Sequence, residues 1–321
     1  MYLLYFFISN NYLVISSIFL KVMKSIVIFG GAGFVGKHIL RKISKLGYKI
    51  IVPYQKQTNE AKLKLLGEAG QIIPFHFISL HDKRLKKIIE KSEICINLKT
   101  TWDNKKYSYN KSIFDFNVKL ISILNNCNTA KKLIFFSGLG VDQCTNSLRD
   151  RAILDVENHI KTNLRNSVII RPSVILGGGD QFLTSLIPLF KLSYLIPLFG
   201  NGSKKFQPVH IEDISNFIYF LVQRSFEGHN TFELGGPNIF TYKEFYNLIA
   251  ENIGKKRAFL PIPMRIAKIL IGIAEKTPFS PINLEQLSLF ESDNIIQGSK
   301  MSFDYYEMMP QSILSAIKKS I

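Results

Sequence analysis

The chain of 321 residues has only three cysteines, Cys95, Cys127 and Cys144, and no two of them make a C-x-x-C spacing. A disulfide framework is therefore not expected, and the composition suits a reducing compartment. Burial as small apolar side chains is the role expected of Cys95 and of Cys127. The six histidines form no H-E-x-x-H and no paired Cys/His spacing, so a metal centre has no basis in the sequence. Acidic residues are scarce: 24 Asp and Glu against 41 Lys and Arg leave a formal charge of +17. Such an excess attracts anionic partners, whether nucleotides, acidic protein faces or an anionic membrane surface. Codon usage rich in adenine and thymine, which loads a chain with Lys, Ile and Asn, produces the same balance. No compact run of arginines and no nucleic-acid reader motif accompanies the charge, so nucleic acid is not an expected partner.

Long apolar runs are few. The first 20 residues, MYLLYFFISNNYLVISSIFL, approach the roughly 20 residues that a spanning helix needs, but Asn10 and Asn11 interrupt them. They lack the basic start of a secretory signal and the arginines of a transit peptide. Residues 1–23 are read as an apolar extension ahead of the fold, and two explanations stay open. One is an upstream extension, including a mis-assigned start, of a domain that opens at Met23; the other is a short membrane anchor. No internal repeat and no low-complexity linker divides the rest, and an apolar fraction of 46% excludes disorder as the default.

What is present is alternation. Strand-like residues 26–29 lead through a glycine-rich turn to a helix over 34–45 and a strand over 49–53, a βαβ unit. Apolar runs of strand length follow at 71–77, 94–98, 132–137 and 167–170, separated by helical segments such as 84–91 and 113–126. This pattern implies a parallel sheet with helices on both faces. After Arg171-Pro172-Ser173 the apolar stretches lengthen, at 182–190, 217–221 and 264–274, and prolines punctuate them. The expected fold is α/β, a Rossmann doubly wound parallel sheet over residues 24–175 with a smaller mixed lobe over 176–321.

Gly30-Gly31-Ala32-Gly33-Phe34-Val35-Gly36 follows an apolar strand and opens an amphipathic helix, the context in which a glycine motif signals a dinucleotide site rather than a bare connecting turn. Gly30 permits the tight turn, Gly33 lets the backbone approach a pyrophosphate, and Gly36 lets helix and strand pack closely. The helix start then offers free N–H groups and the positive dipole end. An NAD site usually carries Asp or Glu at the end of the second strand for the ribose 2′-hydroxyl. Here that strand ends Tyr54-Gln55-Lys56 without a carboxylate. Lys56 could meet a 2′-phosphate, which favours NADPH over NAD; a solvated lysine at a loop start is the alternative.

These residues resemble the extended and atypical short-chain dehydrogenase/reductases, through GGAGFVG, Ser137 ending the fifth strand and Arg171-Pro172-Ser173 after the sixth. More narrowly the chain is similar to the family of NADPH-binding accessory subunits of respiratory complex I, the NADH:ubiquinone oxidoreductase, and its alphaproteobacterial members. The passages IVPYQ, GEAGQIIP, CINLKTTW, FFSGLGVD, RPSVILGGGDQFL, FQPVHIEDI, FELGGPNIFTYKEF and FLPIPMRIAKIL carry that similarity from Met23 to about Ile296. The resemblance implies a cofactor set of Gly30, Gly31, Ala32, Gly33, Phe34, Val35, Gly36, Tyr54, Gln55, Lys56, Leu98, Ser137, Pro172 and Ser173. It implies partners among complex I subunits, with peripheral membrane contact. The place would be the cytoplasmic face of a bacterial inner membrane, or the matrix face of the mitochondrial inner membrane in a eukaryotic source.

Active members of the superfamily use a Tyr-x-x-x-Lys pair on the helix after strand five, in which Lys lowers the Tyr pKa and Tyr passes the proton. By register with Glu157, Arg149 stands at the Tyr position and Ile153 at the Lys position, and no tyrosine occurs between Tyr109 and Tyr194. Tyr107 and Lys111 have the right spacing on the wrong element. No catalytic residue is therefore assigned, and ordinary dehydrogenase turnover is not expected. Other departures from the family are Ile78-Ser79 in place of an acidic residue near adenine, Thr100 in place of a glycine and Gln55 in place of an arginine. Ser137, His210 and Asp213 could suggest a hydrolase triad, but no G-x-S-x-G elbow surrounds Ser137. Residues 264–274, with Arg265 and Lys268 among isoleucines and leucine, fit either an internal helix of the lobe or a basic amphipathic helix facing a membrane or partner.

The expectation is a non-catalytic, cofactor-holding accessory or assembly subunit. Its rivals are an NAD(P)-dependent epimerase, dehydratase or reductase acting on a nucleotide sugar, quinone or isoprenoid, and an NADPH-sensing regulatory protein.

Overall fold

Ile26, Val27, Ile28 and Phe29 form an unbroken buried run in β1 (Ser25–Phe29). Such a run suits a strand covered on both faces, the situation in a parallel sheet wrapped by helices. The computed structural model describes residues 24–102, 104–127, 132–143, 147–276, 282–298 and 301–321; the expected extension over 1–23 and Cys144 lie outside them. Helix α1 (Phe34–Ile43) buries Gly36, Ile39, Leu40 and Ile43 and carries Arg41 and Lys42 in its last turn, where the dipole favours cations. A short 3-10 turn, Ser44–Leu46, extends it until Gly47, at φ 71°, stops the chain.

The alternation then continues through β2 (Lys49–Tyr54), α2 (Glu60–Lys64), β3 (Ile72–His76), α3 (Lys83–Lys91), β4 (Ile94–Asn97), α4 (Asp115–Asn125), β5 (Lys132–Phe136), α5 (Leu148–Asn163) and β6 (Ser167–Pro172). Asn59, Asp82 and Ser147 cap α2, α3 and α5 by accepting backbone N–H bonds, the ordinary reason such residues precede helices. The second half comprises β7 (Ile175–Leu176), α6 (Gln181–Leu192), β8 (Leu195–Phe199), β9 (Lys205–Phe206), β10 (Val209–His210), α7 (Ile211–Val222), β11 (His229–Leu234), β12 (Phe240–Thr241), α8 (Tyr242–Ile253), β13 (Ala258–Ile262), α9 (Met264–Ala274), α10 (Leu284–Leu287) and α11 (Leu314–Ser320).

Seven parallel strands form one sheet in the order β3-β2-β1-β4-β5-β6-β11. The expected Rossmann α/β architecture is thus present. Alternate residues serve opposite layers. Ile26, Ile28, Ile50, Val52, Ile96 and Ile134 pack under α1 and α7, whereas Val27, Phe29, Ile51, Cys95, Leu133 and Phe135 pack under α3, α4 and α5.

The expected lobe over 176–321 is not one contiguous piece, because α7 and β11 return to the sheet. Phe217, Ile218 and Leu221, read from sequence as lobe residues, belong instead to the core over β1, β2 and β4. An open sheet with an apolar face must be covered. The β6–α7–β11 crossover does this while adding a parallel strand at the edge. The rest of the lobe has its own core, in which Leu183, Phe190, Ile196, Leu198, Phe206, Phe245, Ile249 and Phe290 are buried. Its parallel pair β8–β13 and antiparallel pair β9–β12 are separate from the large sheet.

Candidate nucleotide site

The strand order reverses between β1 and β4, and in an open α/β sheet the crevice beyond the carboxyl ends of strands at such a point is where ligands bind. The glycine turn lies there. Gly30 has φ 78°, in the left-handed region, and a Cβ on it would come 3.0 Å from the Leu98 backbone. Its carbonyl accepts from the Gly33 N–H at 3.0 Å, closing the turn. A Cβ at Gly36 would lie 2.5 Å from the Gly30 oxygen and 2.5 Å from the Gly31 Cα, which explains the third glycine as a packing requirement. Gly33 is the N-cap of α1 without a side-chain cap, and the first turn holds no acidic residue. That helix start keeps donors and dipole available to an anion. Phe34 sits edge-on to His38 at 5.3 Å, and His38 contacts Glu212 at 3.3 Å and the Gly178 carbonyl at 3.4 Å, joining α1 to α7 and to the loop after β7.

Leu98, Ser137, Pro172 and Ser173 line the same sheet edge because β4, β5 and β6 end in register beside β1. Their polar atoms already have partners. Ser137 Oγ donates to Glu157 Oε1 at 2.5 Å, the Pro172 carbonyl accepts from the Leu139 N–H at 3.0 Å, and Ser173 Oγ donates to Asn294 Oδ1 at 2.8 Å. Asn294 Nδ2 in turn donates to the Leu139 carbonyl at 2.9 Å, so Ser173 clamps the sheet edge to the C-terminal lobe.

At the end of β2, the Tyr54 hydroxyl donates to the Glu60 carboxylate, which raises the phenol above its ordinary pKa. Gln55 Nε2 donates to the Ile78 carbonyl at 2.8 Å, while its Oε1 accepts from Lys99 Nζ at 2.8 Å. Lys56 is exposed. Lys99, just beyond β4, was not singled out from the sequence. Its ammonium lies 3.7 Å above the Phe116 ring, and burial together with neighbouring Lys56 lowers its pKa to about 8. The signal available was a lysine two residues past the strand at the reversal point, whose meaning depends on β2 lying across from it.

Where the resemblance places a catalytic pair, the structure has a different network. Arg149 Nε donates to the Thr101 carbonyl at 3.1 Å, Nη2 to Thr100 Oγ1 at 3.0 Å and Nη1 to Asp150 at 2.8 Å. The guanidinium also stacks 3.8 Å from the Trp102 ring. The Trp102 carbonyl accepts from Tyr109 Oη at 2.7 Å and from Asn283 Nδ2 at 2.6 Å, pinning the loop after β4 to the entry of α10. Burial works against the Arg149 charge and lowers its pKa, with Asp150 opposing that shift. Ile153 is core. Beneath this layer, Glu157 receives Arg171 at 3.0 and 2.7 Å, and Arg171 also meets Asp142 at 2.6 Å and Glu233 at 3.4 Å. Burial disfavours the Arg171 charge, and the Glu157 and Asp142 carboxylates more than restore it, holding the group protonated.

Tyr107 and Lys111 touch each other, 4.8 Å from ring to ammonium, with Tyr107 46% exposed. Ser137, His210 and Asp213 each serve a different partner: Glu157, the Glu212 N–H and Gln311.

The sequence model of the NAD dependent epimerase/dehydratase family matches residues 26–141. NADH dehydrogenase [ubiquinone] 1 alpha subcomplex subunit 9, mitochondrial, of Arabidopsis thaliana is 26% identical over 298 residues, covering 89% of this chain and 74% of that protein. The protein of the same name from Dictyostelium discoideum is 28% identical over 227 residues, and the match spans 70% of this chain and 62% of the relative's length. Among solved structures, UDP-glucose 4-epimerase from Bifidobacterium longum in complex with NAD+ and UDP superposes with a TM-score of 0.67 at 13% identity, over 92% of this chain and 97% of that one. Residues 26–141 are therefore similar to the NAD dependent epimerase/dehydratase family, in a chain similar over most of its length to proteins named as NADH dehydrogenase alpha subcomplex subunit 9.

Proposed function

We propose that this protein is a non-catalytic accessory subunit of respiratory complex I that holds a nicotinamide dinucleotide, NADPH in preference to NADH, in the crevice beside the glycine turn. The observation that carries the reading is a glycine turn and an uncapped helix start beside a proton-donor position that is filled. Arg149 stands at the Tyr position, stacked on Trp102 and bonded to Thr100 and Thr101. A guanidinium keeps its proton at all working pH values, so it does not serve as the acid that carbonyl reduction requires. The names of the relatives support the complex I assignment. A bound nucleotide stabilises the state that binds it, so it can serve structure without chemistry.

The proposed contact with the assembly, or with lipid beside it, is the outward face of α9. Ala267 and Ile271 are buried, while Ile266, Ile269, Leu270 and Ile273 are 50–64% exposed, flanked by Arg265 and Lys268. Among the described residues no helix is long and apolar enough to cross a membrane, so attachment through these residues would be peripheral. The proposed place is the matrix face of the mitochondrial inner membrane or the corresponding cytoplasmic face in a bacterium.

Native purification from membranes of the source tests this reading. Complex I subunits in the same particle, with NADPH released on denaturation, are expected; a protein free of the complex and of nucleotide overturns it. The family match favours one other reading, an epimerase, dehydratase or reductase. Substrate-dependent change in nicotinamide absorbance would establish that reading.

A further inference from the structure

We propose that Lys99, reaching across from the end of β4, is the principal group that receives the ribose 2′-phosphate of the nucleotide, with Lys56 at the end of β2 beside it. The inference rests on the nucleotide-holding function proposed above and assigns its cofactor specificity mainly to one residue. The geometry that carries it has four parts. The Lys99 ammonium donates to Gln55 Oε1 at 2.8 Å, which brings it to the end of β2, where the ribose edge of a dinucleotide lies in this fold. Gln55 is neutral, so it neither competes for a 2′-hydroxyl as a carboxylate would nor repels a phosphate. The ammonium is half-buried against the Phe116 ring at 3.7 Å, and among the described residues it has no carboxylate partner. The charged group that acts on it is a second cation, Lys56.

Two like charges brought together in a partly desolvated place, without a counter-ion, oppose each other. A dianionic phosphate set between them removes that opposition and turns both into charge-assisted hydrogen bonds. The groups around the ammonium are Gln55 and Lys56 from the β2 end and Phe116 from α4, while Asn97 of β4 holds the Lys99 backbone N–H at 2.9 Å. Lys56 alone among these neighbours carries a charge. The Lys99 ammonium is held near pKa 8 in the free protein, so a phosphate arriving at that pH draws a proton onto it. NADPH binding is then coupled to proton uptake, and NADH binding is not.

The test measures binding of NADPH, NADH and adenosine 2′,5′-bisphosphate to the full chain by calorimetry, in two buffers of different ionisation enthalpy at pH 8. Wild type is compared with K99M, K99R and K56M. The expected results are proton uptake with NADPH and the bisphosphate only, and a preference for NADPH over NADH that falls about ten- to hundred-fold in K99M. In K99M the affinity for NADPH falls more than that for NADH, K99R keeps the preference, and K56M loses less of it. If K99M binds both nucleotides and keeps the preference, Lys99 is not the phosphate ligand although the nucleotide reading stands. Equal affinity of the wild type for NADH and NADPH overturns the proposal in the same way. If folded wild type binds neither nucleotide, both readings fail. Should K99M not fold, proton uptake by the wild type and the behaviour of K99R decide the question.

Discussion

At the scale of single residues, the chain buries a network of charged groups where sheet and helix meet. Arg171, within β6, is buried and held by Glu157, Asp142 and Glu233, and Ser137 shares the Glu157 oxygen. Removing one partner of such a buried pair leaves a charge without compensation. Glu157→Gln is expected to lower unfolding free energy by about 3 kcal/mol in urea titrations, and a loss below about 0.5 kcal/mol would show that Asp142 and Glu233 suffice alone. Titration offers a second prediction. Lys99 and Lys132 have folded pKa values of about 8, lowered by burial, and for Lys99 also by Lys56. An unfolded lysine titrates near 10.4. The depressed value means that the charge destabilises the folded state fully below pH 8, and that this penalty lifts as pH rises towards the unfolded value. Tyr242 and Tyr246 are pushed the other way by burial, so above about pH 10 the unfolded chain ionises first and stability falls. The melting temperature of the nucleotide-free protein should therefore climb between about pH 8 and 10 and drop beyond. A flat profile there, or no change of slope in K132M, contradicts the assignment.

At the scale of elements, the glycine turn and α1 are one unit. A methyl group at Gly36 meets the Gly30 oxygen and Gly31 Cα at 2.5 Å, and neither backbone atom has anywhere to retreat while β1 is held on both sides. Gly36→Ala should cost about 1–3 kcal/mol by thermal unfolding and weaken nucleotide binding as well; wild-type stability would mean that α1 slides freely on the sheet. Helix α9 behaves oppositely. The double substitution of Ile266 and Ile273 to Ser removes side chains that are 50% and 61% exposed, so isolated stability should change by less than about 0.5 kcal/mol. Co-purification with complex I subunits should fall all the same, and an undiminished yield of the assembly would place the contact elsewhere. Elements of this kind were legible from apolar spacing. The strands at 26–29, 94–98 and 132–137 and the helix at 84–91 are observed as β1, β4, β5 and α3 within a residue or two. Segment 217–221 was misplaced, because its apolar spacing records that a face must be buried and not which sheet buries it.

At the scale of the molecule, the two cores meet along the sheet edge where the nucleotide is proposed to lie. Ser173 and Asn294 bridge them at 2.8 Å, and Asn283 reaches the Trp102 carbonyl at 2.6 Å. A ligand seated there ties both parts to the folded state. NADPH at about 100 times its Kd should raise unfolding free energy by about 2.7 kcal/mol, read as a shift in melting temperature, with a smaller shift from NADH at the same concentration; no shift from either nucleotide speaks against a structural role.

Residues alone determined the α/β class, the glycine turn and the missing acid after β2, because these depend on local periodicity and on neighbours within a few positions; the missing Tyr-x-x-x-Lys pair was read through the resemblance to the superfamily. Only the tertiary structure decided what the residues in those places touch. Arg149 meets Thr100 across 49 positions of chain, Lys99 meets Gln55 across 44, and Ser173 meets Asn294 across 121. Contacts of that range leave no periodic mark in a sequence. They follow from the order in which a parallel sheet assembles its strands.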